Sequence, residues 1–168
     1  MIELEKTFLL RYIPDLSGCE YTEVIDTYFP LTRHPVLRLR KSDKYQLTKK
    51  TSIDGDASIQ EEQTINLSPE EYLALSDIKG KKLRKIRYRY HYKGHVAEID
   101  VFKDALEGLA LVDFEFATEE EKSAFEIPDF CLADVTHEDF IAGGMLCGKT
   151  YADIEKELSC FGYRPLFD

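Results

Sequence analysis

The chain has 168 residues, 43% of them hydrophobic and 32% charged, with a formal net charge of −10. That length suits a single domain over residues 1–168, and the composition excludes a disordered or fibrous chain. The excess of acid argues against nucleic acid or an anionic membrane as a partner.

Residues 2–10 predict a first strand, followed by an excursion through Pro14, Asp15, Ser17 and Gly18. Residues 22–29, TEVIDTYF, are rich in β-branched and aromatic side chains and predict a second strand. Pro30 and Pro35 bracket a turn. Residues 36–41 and 45–52 predict a hairpin around Ser42-Asp43-Lys44. Asp54-Gly55-Asp56 is a further turn before a strand at 58–66. Ser68-Pro69-Glu70-Glu71 combines an N-cap, a first-position proline and a capping-box glutamate. It starts a helix to about Asp77 that is expected to bury Tyr72, Leu73 and Leu75. Strands at 83–92 and 95–102 join through Lys93-Gly94, and another follows at 109–116. Thr118 caps a helix through Phe125, and Thr150 caps a last one with Tyr151, Ile154 and Leu158 on one side. The stretch from Asp134 to that last helix reads as irregular or short-helical.

Hairpin connections dominate, so the sheet is expected to be largely antiparallel. Cys19, Cys131, Cys147 and Cys160 form no C-x-x-C pair and predict free thiols in a reducing compartment. MIELEKTFLL carries acid where a secretory signal needs base, and no apolar run is long enough to span a bilayer. The cytoplasm is therefore the expected compartment.

The strands carry charge in i, i+2 pairs: Glu3/Glu5, Arg38/Arg40, Lys85/Arg87, Glu98/Asp100 and Asp113/Glu115. That spacing puts both members of a pair on one face, and mostly apolar residues such as Leu4, Leu39, Ile86, Ile99 and Phe114 fall on the other. Carboxylates bind a divalent ion, while Arg and Lys bind phosphate oxygens. The mixture therefore suits a metal-assisted phosphate site. An alternating strand more often turns its charge to water. Repetition over several strands, and separation of acidic from basic strands, weigh against that reading. Charge facing outward makes an ordinary sandwich or barrel. Charge facing inward requires a water-filled tunnel, mutual neutralisation, and helices to cover the apolar outside. Physical arguments alone leave both open.

The motifs resemble the CYTH superfamily, the triphosphate tunnel metalloenzymes. Glu3-Leu4-Glu5-Lys6-Thr7 matches its opening Glu-x-Glu-x-Lys, with Thr7 where the family has lysine. Arg38-Leu39-Arg40 matches its Arg-x-Arg, and Leu47-Thr48-Lys49-Lys50 its Leu-Thr-x-Lys. Both Lys49 and Lys50 are candidates for the inward lysine. Gln60-Glu61-Glu62 keeps the acids of the next motif without its cation. Lys85-Ile86-Arg87, Glu98-Ile99-Asp100 and Asp113-Phe114-Glu115-Phe116 follow in order, and Asp134-Val135-Thr136 resembles the late Glu-Val-Thr without its Arg-Tyr.

The resemblance implies an α+β fold built on a closed eight-stranded antiparallel β-barrel, with covering helices. It implies hydrolysis of tripolyphosphate or an organic triphosphate such as thiamine triphosphate, with Mg²⁺ or Mn²⁺ as cofactor. Conversion of ATP to cyclic AMP and binding without catalysis are the alternatives. It places metal on Glu3, Glu5, Glu62, Glu98, Asp100, Asp113 and Glu115. Substrate falls to Arg38, Arg40, Lys49, Lys50, Lys85 and Arg87, and Lys149, outside the matched motifs, is a further substrate-binding candidate. Glu3, Glu5, Arg40, Lys85 and Glu115 are the catalytic candidates. The expected partner is a small-molecule triphosphate, with no membrane, and a homodimer is left open.

Gly143 to Thr150 satisfies G-x-x-x-x-G-K-T, but a P-loop needs a strand, a helix and a parallel sheet around it. Here it reads as a connector capped by Thr150, with Lys149 in reach of the tunnel mouth. His34, His91 and His95 read as surface or turn residues, and His137-Glu138 lacks the second histidine of H-E-x-x-H.

Overall fold

Strand alternation decides the architecture, because a sheet that is charged on one face and apolar on the other cannot bury both alike. In the computed structural model, which describes residues 1–167, nine strands form one sheet. They are β1 (Ile2–Leu10), β2 (Glu20–Phe29), β3 (Leu37–Lys41), β4 (Tyr45–Ile53), β5 (Asp56–Asn66), β6 (Lys81–Tyr92), β7 (His95–Phe102), β8 (Ala110–Phe116) and β9 (Cys131–Asp134). The helices are α1 (Pro69–Ser76), α2 (Glu119–Ala124), α3 (Gly143–Leu146) and α4 (Tyr151–Cys160).

The strand order is β5-β4-β3-β2-β6-β7-β8-β1, with β1 also paired to β5. Every pairing is antiparallel. The sheet thus closes into the eight-stranded barrel that the sequence suggested. β1 closes the ring with its two ends doing different work. Ile2–Leu4 pair with β5, while Phe8–Leu10 pair with β9 outside the ring. β9 is a four-residue strand that the sequence pattern did not reveal. The tight β6–β7 turn places Lys93 and Gly94 at φ 46° and 86°. Those values suit the right-handed twist of the paired strands, and glycine adopts them without steric cost.

The apolar outer faces of β1, β7 and β8 form one core. Phe8, Leu10, Ile99, Val101, Val112 and Phe114 pack there with Phe130 and Cys131. Phe125, at the end of α2, packs tilted against Phe8 and Phe114 and edge-on against Phe116. α1 covers far less than expected. None of its residues is buried, Leu73 is 64% exposed, and Tyr72 touches the barrel through Tyr45.

A second core closes one end of the barrel. There the inward rows change from charged to apolar, at Leu9, Tyr28, Leu83, Phe102 and Leu111. Val135, Ile141 and Leu146 from the C-terminal segment, and Ile154 and Leu158 of α4, join this cluster. The expected connector at Gly143 is therefore part of that closure. A Cβ on Gly144 would lie 2.1 Å from the Pro35 carbonyl oxygen, and one on Gly143 would lie 2.1 Å from the Tyr28 hydroxyl. Thr150 caps α4 through Asp153, as its sequence indicated. Among the described residues no helix is long and apolar enough to cross a membrane.

Backbone lies on both sides of the Gly144 contact, so a methyl there must displace one of them. Gly144→Ala is expected to destabilise the fold by about 1–3 kcal/mol, the usual cost of overpacking. Urea unfolding with an unchanged m-value checks this.

Candidate functional site

Charge that a strand turns inward meets charge from its neighbours, and the register here brings opposite signs together. Asp26 on β2 sits opposite Arg40 on β3. Arg87 on β6 sits opposite Asp100 on β7, and Lys50 on β4 opposite Glu62 on β5. On the acidic side like charges meet instead: Glu5 opposite Glu115, and Glu98 opposite Asp113. These side chains line a cavity of about 480 Å³.

The inward face is therefore the charged one. Glu3, Glu5, Arg38, Arg40, Lys50, Glu62, Lys85, Arg87, Glu98, Asp100, Asp113 and Glu115 all line the cavity. Two expected residues do not. Lys49 is exposed on the outer face of β4, because Thr48 and Lys50 bracket it on the inner one. Lys149 follows α3 and lies outside the lining. Strand parity thus resolves the Lys49–Lys50 ambiguity in favour of Lys50.

The cations stand in a web of carboxylates. Arg40 makes two parallel bonds to Asp26, Nε to Oδ1 at 2.7 Å and Nη2 to Oδ2 at 2.8 Å. Arg87 does the same to Asp100, both at 2.7 Å, and also reaches Glu98 and, at 3.4 Å, Asp113. Lys85 donates to Asp100 as well. Lys50 bridges Glu3 at 2.9 Å and Glu5 at 2.8 Å. Thr7, where the motif has lysine, donates its hydroxyl to Asp113 Oδ1 at 2.7 Å. Arg38 differs from the others. Its Nε is buried and has no hydrogen-bond partner.

Proton affinities sort these acids into two groups. Burial works to raise Asp100, but Arg87 and Lys85 outweigh it and hold the carboxyl well below the usual range. Burial likewise opposes ionisation of Asp26, and the Arg40 charge and its two bonds overcome it, so this carboxyl too is lowered. Asp100 pairs with both Lys85 and Arg87. Glu5 and Asp113 go the other way. Burial raises both, reinforced at Asp113 by Asp100 and at Glu5 by Asp113 and Glu3, against the pull of Lys50 or Arg87. Glu115, open toward the cavity mouth, is raised by desolvation and then by Glu98 and Glu3.

Carboxylates that repel each other in a partly enclosed space suit a hard divalent cation, which prefers oxygen donors. Among the described residues no group of three or more His, Cys, Asp or Glu side chains is gathered to hold a metal ion by itself. Mg²⁺ does not require such a cage. It is commonly bound through one or two carboxylates, with waters and substrate phosphates completing its six oxygens. The donor chemistry therefore fits, with Glu3, Glu5, Glu98, Asp113 and Glu115 as the set to draw from.

The sequence reading missed several lining residues. Asp26 is 1% exposed within a strand read as apolar and aromatic, and its signal was a lone acid at even spacing from Val24 and Tyr28. His34, read as a surface or turn position, and His137, read only as lacking the second histidine of H-E-x-x-H, also line the cavity beside the C-terminal closure. No pattern in the sequence pointed to them.

The CYTH domain family model matches residues 9–132. Among solved structures, the inorganic triphosphatase NE1496 is 25% identical, with a TM-score of 0.63 over 86% of this chain and 93% of that one. Another structure of NE1496, described as a hypothetical protein, gives 26% identity and a TM-score of 0.64 over 88% and 99%. A conserved hypothetical protein from Pyrococcus furiosus shares the fold at 22% identity, with a TM-score of 0.55 over 73% and 83%. No curated protein matches the sequence.

Asp26 and Asp100 are depressed in the folded state, so the stability they contribute is complete above the unfolded aspartate value of about 4 and is lost as pH falls through their folded values. Urea unfolding should show stability falling steeply below about pH 4. Asp26→Asn should start lower at neutral pH and lose less over the same acid range. An acid limb unchanged by the substitution contradicts the assignment.

Proposed function

The chain belongs to the CYTH domain family, and on that premise we propose that it hydrolyses a triphosphate, with Mg²⁺ or Mn²⁺ as cofactor. Inorganic tripolyphosphate is the first substrate to consider, since the relative NE1496 is described as an inorganic triphosphatase. The observation that carries the reading is Arg38 Nε, a buried donor with no partner inside a cavity whose other cations are each answered by a carboxylate. An unsatisfied buried donor costs about 1–3 kcal/mol. A phosphate oxygen would satisfy it.

The cavity divides the work between two walls. Arg38 and Arg40 on β3, with Lys85 and Arg87 on β6, form the phosphate-binding wall. Guanidinium groups suit this role because their planar fork meets phosphate oxygens two at a time. The same groups would stabilise charge that builds on the transferred phosphoryl group. Glu3, Glu5, Glu98, Asp113 and Glu115 on β1, β7 and β8 form the acidic wall, which meets the basic one where Arg87 reaches Glu98 and Asp113, and with Glu62 beside them would hold the metal. When bound, the ion neutralises phosphate charge and polarises the scissile group. Lys50 holds Glu3 and Glu5 together between these acids. Carboxylates not on the metal would orient the attacking water, and Glu115 at the open side is placed for that. Asp100 keeps Lys85 and Arg87 fixed rather than taking the ion.

Phosphate release from tripolyphosphate, thiamine triphosphate and ATP, with Mg²⁺ or Mn²⁺ and with chelator, tests the reading. Metal-dependent orthophosphate release is expected. Tight binding without turnover would leave a binding module, and cyclic AMP from ATP would make it a cyclase. Arg38→Ala should lower kcat/KM by about 10²–10³-fold, the range for loss of one charge-stabilising donor. Lys49→Ala should leave it unchanged, because Lys49 points to solvent.

A further inference from the structure

Asp26 is the most buried carboxylate of the cavity, 1% exposed, yet it lies on the wall that the reading above gives to phosphate. An acid there works against an anionic substrate by simple electrostatics. Its geometry supplies a reason for it. Oδ1 takes Arg40 Nε and Oδ2 takes Nη2, so one edge of the guanidinium is fully engaged. Nη1, on the far edge, makes no hydrogen bond to any described residue. The strand register fixes the pair as well, since Asp26 and Arg40 are direct cross-strand partners on neighbouring strands. A flexible side chain is thereby reduced to one orientation. Buried ion pairs can often be replaced by apolar side chains without loss of stability, so stability alone gives no reason for an acid at this position.

We propose that Asp26 is a positioning residue, which holds the Arg40 guanidinium so that its free Nη1 edge faces the triphosphate. The inference rests on the phosphate-binding role of Arg40 and deepens it. It divides the arginines of β3 into two kinds. Arg40 arrives oriented by a resident carboxylate on its Nε, whereas the buried Nε of Arg38 has no resident partner. Lys85 and Arg87 share the Asp100 carboxylate in the same manner as Arg40 uses Asp26. Preorganised donors avoid the cost of being ordered when substrate binds.

Two simpler roles for Asp26 predict different results. If it only tempers positive charge, its removal should tighten binding of a polyanion. If it only holds the barrel together, its loss should lower stability and leave the affinity of the folded fraction intact. Positioning predicts weaker binding even though a negative charge has been removed.

The test is calorimetric titration with inorganic tripolyphosphate at fixed salt, with chelator present so that metal does not enter, on four folded proteins: the original, Asp26→Asn, Arg40→Ala and the double variant. Asp26→Asn is expected to weaken binding about 10-fold, the scale of one charged hydrogen bond. In the Arg40→Ala background the same change should matter less than about 2-fold, because the two residues act as a unit. Asp26→Glu keeps the charge and shifts the carboxylate by one methylene. It too should weaken binding, and it serves if Asp26→Asn does not fold. The Arg40 Nε–H resonance, seen by ¹⁵N NMR, should lose its protection from solvent exchange in Asp26→Asn. Tighter or unchanged binding in both single Asp26 variants, or an Asp26 effect that persists fully in the Arg40→Ala background, overturns the proposal. Because binding and NMR are read without turnover, a protein that binds tripolyphosphate and fails to hydrolyse it refutes the hydrolase reading and leaves this test standing.

Discussion

A closed barrel that points its charged face inward must neutralise that face from within, and the rest of this structure follows from how it does so. The antiparallel register puts Asp26 beside Arg40 and Asp100 beside Arg87, so the basic strands β3 and β6 are each answered by an acid on an adjacent strand. Lys50 reaches across from β4 to Glu3 and Glu5 on β1. What remains uncompensated is distinct on the two walls. A basic group, Arg38, has a buried donor without a partner, and the acids Glu5, Asp113 and Glu115 hold their protons more tightly than usual. One wall asks for an anion and the other for a cation. A metal–triphosphate complex supplies both together.

Such a web does not contribute to stability in proportion to its size. Taking charges out of water costs free energy that their mutual attraction only partly offsets. The folding free energy comes instead from the apolar outside of β1, β7 and β8, and from the core that closes one end of the barrel. The closing core uses the apolar ends of the inward rows, Leu9, Leu83, Phe102 and Leu111, together with the C-terminal segment. The same strands thus serve packing at one end and chemistry along the rest. That division places the charged groups on rigid strands rather than loops, which suits a site that depends on preorganised donors.

Much of this arrangement was legible in the sequence because strand parity is a rigid rule. The i, i+2 pairs at Glu3/Glu5, Arg38/Arg40, Lys85/Arg87, Glu98/Asp100 and Asp113/Glu115 each fall on the inner face. The direction of that face could not be read from periodicity, since an inward and an outward charged face share one pattern. The motif resemblance supplied it. Lys49 and Lys50 were ambiguous for want of a fixed neighbour, and Thr48, 1% exposed on the inner face, settles the parity. Asp26 escaped notice because its strand is otherwise typical of an apolar one. The shortness of β9 hid it, and α1 looked amphipathic although the barrel beside it needs little cover. The Thr7–Asp113 bond shows why the missing motif lysine leaves no gap there: a hydroxyl donates to the acid in its place.

The most direct test of this account is to locate both ligands at once. A crystal soaked with Mn²⁺ and tripolyphosphate, measured at the manganese absorption edge, places the ion by its anomalous signal and the phosphates by their density. The account predicts manganese against carboxylates of β1 and β8, and phosphate oxygens against Arg38, Arg40, Lys85 and Arg87, with Arg38 Nε engaged. Phosphate bound outside the barrel, or manganese absent from the acidic wall while tripolyphosphate fills the cavity, would contradict it.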